Sequence, residues 1–416
     1  MHRSCVSLAL LLWLSAGSPS VAAEGERLSL DAFIARVLAE SPRVRAVAAR
    51  VAQAQADVDA SGLWPNPGVR IERQSGPLLE QTRGSQDFLL VEVPVVISGR
   101  LSVEREAATA RAFAADLDAQ EQVAGLHREA VEVYVEVVHA ERRVHMLVDE
   151  RTRLIKVVEV ARRRAAAGES PPTTPLRLEV ELARLDDDTR LARLAQEEAG
   201  QRAQALAGAA LPPFSQDFPL LPPAPTVARE RAGTRAWGRR VDAAKLDEDA
   251  AGRRLVPDVT VTAGPALLNT GATDFSVGYA VSLGVSLPIF DHGQGEAARA
   301  RANRAGFDAE GDVVRGRSAA AVAVARRQAA TASERASAYA GSVLPAAQTL
   351  FQAAERSMEL GSAEGDAAAV LVFVDAARTL REARTTLDDL RADTVRADAT
   401  LTFVSGAWDG PEESRP

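Results

Sequence analysis

The chain has 416 residues, a formal net charge of −8, 4% aromatic residues and one cysteine. The acidic balance argues against a nucleic-acid binder, which carries a basic excess, and a lone cysteine excludes a disulfide framework. Alanine and arginine in long runs, with so few aromatics, point to extended helices packed side by side rather than to a compact enzyme core.

Residues 1–23 read as a cleaved secretory signal: a basic start at Arg3, an apolar run from Val6 to Leu14, then Val21-Ala22-Ala23. The run is too short to span a bilayer as a helix. Cys5 precedes it, so lipid attachment there is not expected. The first structural repeat, residues 24–207, opens with a helix from Leu30 to Ser61, interrupted at Ser41-Pro42. Strands follow at about 66–73 and 86–96. From Gly99 to Gly168 no proline occurs, and Gly125 is the one glycine between them. As a helix that stretch measures roughly 100 Å. "GESPPTTP", from Gly168 to Pro175, breaks it, and helical sequence resumes from Leu176 to Leu206.

A proline-rich connector spans 208–226. The second repeat, 227–404, keeps the same order: a helix to Arg254, strands near 257–267 and 275–289, then a long helix from Gly293. Pro345 is expected to kink or break that helix. "LGSAEGDAAA", 360–369, is the second break, a last helix reaches Val404, and 405–416 reads as a disordered tail.

The two halves echo each other. "LWPNPGV" at Leu63 matches "LVPDVTV" at Leu255, an offset of 192. Pro94 and Pro288, and Gly99 and Gly293, are each offset by 194, and Gly168 and Gly361 by 193. One shared offset among several landmarks indicates internal duplication. Along the first long helix Val103, Ala110, Leu117, Ala124, Val131 and Val138 recur every seven residues, a coiled-coil seam.

The strands carry the sharpest signal. Phe275, Val277, Tyr279, Val281, Leu283, Val285 and Leu287 alternate with Ser276, Gly278, Ala280, Ser282, Gly284 and Ser286. A bulky apolar face opposite a small, uncharged one suits a membrane strand with lipid on one side and a lumen on the other. Leu89, Val91 and Val93, and Val259, Val261 and Ala263, alternate likewise. Four strands do not close a barrel, and an open edge in lipid leaves backbone groups unpaired. The chain must therefore pool strands with copies of itself; three copies supply 12.

With its twofold repeat, its Pro-to-Gly strand exits at Pro94–Gly99 and Pro288–Gly293, and the glycine-containing break before "FVDAARTLREA" at Phe373, the sequence resembles the TolC-like outer membrane efflux proteins over nearly the whole mature chain. The resemblance implies a mainly α fold with a small membrane β part. Helical hairpins would form a periplasmic α-barrel, and four strands per chain a trimeric 12-stranded β-barrel. It implies an exit duct joined by a periplasmic adaptor protein to an inner-membrane pump, in the outer membrane of a Gram-negative bacterium. Pro94, Gly99, Pro288 and Gly293 then become the barrel-to-tunnel joints. The family places its helix breaks at the periplasmic tip, where acidic residues ring the entrance. The matching positions are Glu169, Glu364, Asp366 and Asp375. Carboxylates around a threefold axis repel one another and attract cations; helix capping by Asp366 and a solvated face for Asp375 are the plainer alternatives. The Pro171-Pro172-x-x-Pro175 run and the alanine-rich second break depart from the family pattern.

No enzyme motif and no cofactor site is read in the chain. His139 and His145 are six apart and fall on different helix faces. A periplasmic coiled-coil scaffold without transport function is the other reading of the repeat; it has no use for the alternation at 275–287. Drugs, metal ions and secreted protein all remain open as cargo.

Overall fold

A computed structural model describes residues 27–78, 82–269, 275–360 and 366–409. The element order is α1 Leu30–Glu40, α2 Pro42–Ala60, β1 Gly68–Leu78, β2 Thr82–Val95, α3 Arg100–Ala166, α4 Thr173–Ala207, α5 Ala232–Gly252, β3 Asp258–Asn269, β4 Phe275–Ser286, α6 Gln294–Leu360 and α7 Asp366–Val404. A 3₁₀ turn, Arg253–Leu255, follows α5. Each half thus delivers two strands and one helix of 67 residues, α3 and α6. Among the described residues no helix is long and apolar enough to cross a membrane.

The chain divides into two compact units. One comprises Val47–Gln120 and Ala232–Arg317; the other holds the residues up to Ala46, Glu121–Arg231 and those from Ser318 on.

The first of these units holds the sheet, four antiparallel strands in the order β1-β2-β3-β4. β1 and β4 are its free edges. One row of side chains runs across all four strands: Val69 opposite Val91, Val91 opposite Ala263, Ala263 opposite Val281. The β2–β3 ladder skips Gly264 and Pro265, since proline has no N–H to donate. There Gly264 lies so close to β2 that a Cβ would stand 1.9 Å from the Leu89 carbonyl oxygen.

The second unit is helical. Its core joins Phe33 of α1, Tyr134 of α3 and Phe214 of the connector, with ring centroids 5.5 to 6.1 Å apart. The fully buried Tyr134 hydroxyl donates to the Leu28 carbonyl at 3.1 Å, and Leu28 forms a bridge with Phe214. This ties the N-terminal segment to the connector, which holds its place through these contacts rather than as a regular element. A separate cluster, including Leu154, Leu178, Leu185, Val370 and Phe373, packs α3, α4 and α7 together. Of the heptad seam, Val103, Ala124, Val131 and Val138 are buried, and Ala110 and Leu117 are half-buried.

Two expectations are corrected, and of the kink or break expected at Pro345 the break does not occur. Pro345 lies inside α6 without ending it. Proline in a helix interior costs about 3 kcal/mol, and packing on either side outweighs that: Ala347 and Ala354 are buried, and Leu344 and Phe351 pack on a cluster with Leu380 and Ala383. The helices also begin earlier than the breaks suggest, because Pro175 fits the first turn of α4 and α7 starts at Asp366. Finally, Ser405–Asp409 form an ordered turn where a tail was expected. Ser405 is fully buried, its carbonyl accepts from the Arg229 N–H at 2.9 Å, and Trp408 stacks on His127 with centroids 4.1 Å apart. Residues 1–23 and 410–416 lie outside the described residues.

The Trp408 contact has a pH signature. Burial holds the His127 imidazole neutral, pushing its pKa from 6.5 down to about 4, with Asp31 opposing. Between those values the unfolded chain binds a proton that the folded chain refuses, so stability falls as pH drops through this window, by up to about 3 kcal/mol. The loss in melting temperature between pH 7 and pH 4.5 is expected to be smaller in His127→Phe; equal losses in the two proteins would show that this histidine does not drive it.

Candidate functional site

Most of the large apolar side chains of the four strands share one exposed face, with Phe88 and the buried Leu90 on the other and the Arg73–Asp87 pair on the apolar one. Val69, Ile71, Leu89, Val91, Val93, Val261, Leu267, Val277, Tyr279, Val281, Leu283 and Val285 all stand out from it, Tyr279 at 87% exposure. In water so broad an apolar surface is a liability; against lipid it is the required finish. Phe275 begins β4, and Leu287, also exposed, lies just past its end at Ser286. The other face carries Thr260, Thr262, Ser282 and glycines, with Arg70 paired to Glu92 at 2.5 Å. The sheet is therefore amphipathic in the sense the sequence predicts.

The joints are built from glycines with left-handed backbones. Gly99 has φ 66° and Gly293 φ 82°. A Cβ on Gly293 would lie 2.4 Å from the Ala251 carbonyl oxygen, and one on Gly99 2.9 Å from a guanidinium nitrogen of Arg253. The Gly293 N–H donates to the Asp291 carboxylate at 3.1 Å, and the Gln294 side chain both accepts from the His292 N–H and donates to the Phe290 carbonyl. "DHGQ" is thus a tightly bonded corner between β4 and α6. Pro94 sits in β2 two residues past Glu92, the last paired to β1, while Pro288 lies beyond β4. Gly62, φ 67°, makes the same type of corner before β1, its Cβ position 2.4 Å from the Leu101 carbonyl oxygen. The sequence offers only an unremarkable "SG" there, so Gly62 was not singled out.

Below the sheet, within the same unit, a groove of about 610 Å³ runs between α3, α5 and the start of α6. Its floor includes Ala114, Ala243 and Ala251, and three ion pairs line it: Arg111 with Asp247, Arg240 with Asp118, and Arg254 with Glu296 at 2.8 Å.

In the helical unit the acidic positions fall apart from one another in character. Glu169 and Asp375 are exposed, Asp366 is the first residue of α7, and Glu364 lies outside the described residues. The strong electrostatics lie further along the helices. Glu181 of α4 is only 5% exposed and accepts from both Arg378 and Arg381 of α7. Arg381 also reaches Glu150 of α3 at 2.8 Å and Asp188 at 3.5 Å. Hydrogen bonds from Arg378 hold the Glu181 pKa below the ordinary range, whereas burial raises that of Glu150. Three helices are thereby locked through two guanidinium groups. Sequence patterning points to Asp375, one turn away, and misses this cluster.

No group of three or more His, Cys, Asp or Glu able to hold a metal ion occurs among the described residues. His139 contacts the Asp389 carboxylate at 2.7 Å, and His145 bonds the Gln216 side chain at 2.9 Å. Both imidazoles are engaged across the fold rather than merely solvated.

Comparison with known proteins follows the same lines. The sequence profile described as outer membrane efflux protein matches residues 235–407. The cobalt-zinc-cadmium resistance protein CzcC of Cupriavidus metallidurans is 24% identical over 395 residues, 91% of this chain and 90% of that protein. The fold matches solved CusC, a protein studied for transmembrane channel formation, with a TM-score of 0.76, 17% identity and coverage of 91% and 92% of the two chains. It matches the outer membrane protein VceC of Vibrio cholerae with a TM-score of 0.72, 17% identity and coverage of 91% and 96%. Residues 235–407 thus match the outer membrane efflux protein family, and the chain as a whole has the fold of solved outer-membrane channels.

Proposed function

We propose that this protein is the exit duct of a tripartite efflux or export system in the outer membrane of a Gram-negative bacterium. Residues 1–23 direct it out of the cytoplasm. Three copies close a 12-stranded barrel in lipid, and the long helices line a tunnel through the periplasm. A periplasmic adaptor protein and an inner-membrane pump supply the cargo; the chain itself is a passive conduit. The observation that carries this reading is the sheet: one apolar exposed face, one small and polar face, and two free edges that lipid does not tolerate. The names of its relatives, a metal-resistance protein and outer membrane channels, support it. A periplasmic scaffold would leave that apolar face without a use. At the helix breaks the exposed carboxylates of Glu169 and Asp375 are our candidates for the entrance, repeated around the axis with Glu364 and Asp366 so that cations enter more readily than anions.

Single-channel recording in planar bilayers tests the function: purified protein is expected to form stable pores. A folded protein that stays monomeric in detergent and conducts nothing overturns the proposal. Val281→Asp places a charge in the middle of the lipid face, where a charged residue costs about 2–4 kcal/mol at the midplane for a base and less for an acid. Repeated in three copies, that cost is expected to abolish recovery from outer-membrane fractions, and normal recovery would reverse the assigned strand orientation.

A further inference from the structure

Resting on the duct reading above, we infer that the β1–β2 hairpin is the selective element of the barrel. In three copies it raises three ridges on the inner wall, and Glu72 on each ridge draws cations through. The two hairpins furnish that wall differently. On the face turned away from lipid, β1 carries Arg70, Glu72 and Gln74, and β2 carries Phe88, Leu90 and Glu92. On the same face β4 presents only serine, glycine and alanine from Ser276 to Ser286. One row shows the step: Glu72 opposes Phe88, Phe88 opposes Ala266, and Ala266 opposes Gly278. Within that row the long side chains end where β3 begins. Duplication makes the contrast informative, because at the corner offset of 194 Glu72 falls on Ala266 and Phe88 on Ser282. The second hairpin is the smooth version of the first.

The charges on this face do not cancel. Its ionisable residues among the described ones are Arg70, Glu72, Glu92 and Asp258. Arg70 pairs with Glu92 at 2.5 Å, and Asp258 lies 3.9 Å from Arg100, the first residue of α3. Glu72 has no cationic partner among the described residues. Its carboxylate accepts from the Gln74 side chain at 2.8 Å, a neutral donor that orients it without offsetting its charge. It stands near the middle of β1, four residues past Gly68 and six before Leu78. Three copies therefore set three uncompensated carboxylates around the wall at one height. A barrel of 12 strands falls between the about 8 whose interior side chains fill it and the about 16–18 that leave a wide aqueous channel. Inward charges in such a barrel lie close to whatever passes. At physiological salt their field reaches roughly 8 Å, and a ring of carboxylates favours cations over anions.

The reversal potential of single channels across a potassium chloride gradient tests the filter. To separate it from the helix breaks, the four entrance candidates are neutralised together in the full chain, as Glu169→Gln, Glu364→Gln, Asp366→Asn and Asp375→Asn. Pores of that background are expected still to prefer potassium. Adding Glu72→Gln should lower the potassium-to-chloride permeability ratio several-fold, whereas Glu72→Asp should preserve it. Combining Glu72→Gln with Glu92→Gln, which leaves Arg70 without its partner, should move the ratio further towards chloride. The preference is expected to fade in concentrated salt, because screening shortens from roughly 30 Å at about 0.01 M to roughly 3 Å at about 1 M. For the ridges, Phe88→Ala is expected to raise conductance, while Ser282→Ala, its counterpart on the smooth hairpin, leaves it unchanged. Equal conductance of those two variants would remove the ridges. Pores whose reversal potential ignores Glu72 would overturn the filter and leave the duct intact. A parent protein that conducts nothing would overturn both.

Discussion

Gly264→Ala is expected to abolish assembly of the sheet, whereas Gly278→Ala, on the neighbouring strand, is expected to be tolerated. At Gly264 a methyl group would lie 1.9 Å from the Leu89 carbonyl oxygen, 2.9 Å from the Leu89 carbonyl carbon and 3.0 Å from the Leu90 Cα. All three are backbone atoms of β2, held by the ladder to β1 at Leu89 and Leu90 and by the β3 pairs that flank them at Phe88 and Val91. No side chain is present to rotate away, so the strands must separate, and the cost exceeds about 4 kcal/mol, the range reached only by severe core disruption. At Gly278 the nearest atom to an added Cβ is the Ala266 carbonyl oxygen at 4.0 Å. Both glycines sit in strands of one sheet and both lose the same backbone freedom, which makes the pair a controlled comparison. Heat-resistant oligomer on unboiled gels is the readout. Equal behaviour of the two variants would remove the close approach as a determinant of the barrel.

The second large effect belongs to Arg381→Ala. Arg381 is the cation shared by Glu150, Glu181 and Asp188, and its side chain is only 16% exposed. Removing one partner of a buried ion pair costs about 3–5 kcal/mol, chiefly because the remaining charge is left uncompensated. Arg378 still serves Glu181, so the loss falls hardest on Glu150, whose pKa burial already raises. The sign of the pH dependence identifies the cause. In the variant Glu150 binds its proton more tightly folded than unfolded. Its penalty is absent below the unfolded carboxylate pKa and grows as pH rises through the higher folded value. Acidification from pH 7 towards 5 is therefore expected to narrow the gap in melting temperature between the variant and the parent protein. A gap that stays constant across that range would mean that lost packing of the arginine stem, not stranded charge, is responsible.

The contrast between these residues shows what a sequence discloses. The strand faces were legible because period-two alternation is local: Val277 to Val285 share one exposed face as their spacing demands. The long helices were legible because 67 residues without a break need only local information. Pro345 does not break α6, because its cost is local while the packing of Leu344, Ala347 and Phe351 that offsets it is not. The cluster at Glu181 was illegible for the same reason, since Arg378 lies 197 residues away and neither residue carries a motif. Gly264 was hidden because a close approach between strands is a property of the partner's backbone. Gly99 and Gly293 could be found only because duplication prints the same corner twice.

The ladder between β2 and β3 has a consequence for biogenesis. The hairpins β1–β2 and β3–β4 join neighbouring segments, but β2 and β3 pair residues such as Val95 with Val259 and Ser85 with Asn269, closing a loop of well over a hundred residues. Loop closure of that length adds little to the entropic cost at equilibrium but slows the search considerably. During synthesis the first hairpin must therefore wait, exposing two unsatisfied edges and an apolar face, until the second half of the chain arrives. A chain truncated anywhere before Asp258 never receives that partner, and its hairpin persists as the kind of unpaired, greasy edge on which aggregation nucleates. Quality control of this chain would thus have a defined target: not the finished sheet, but the interval between synthesis of its two halves.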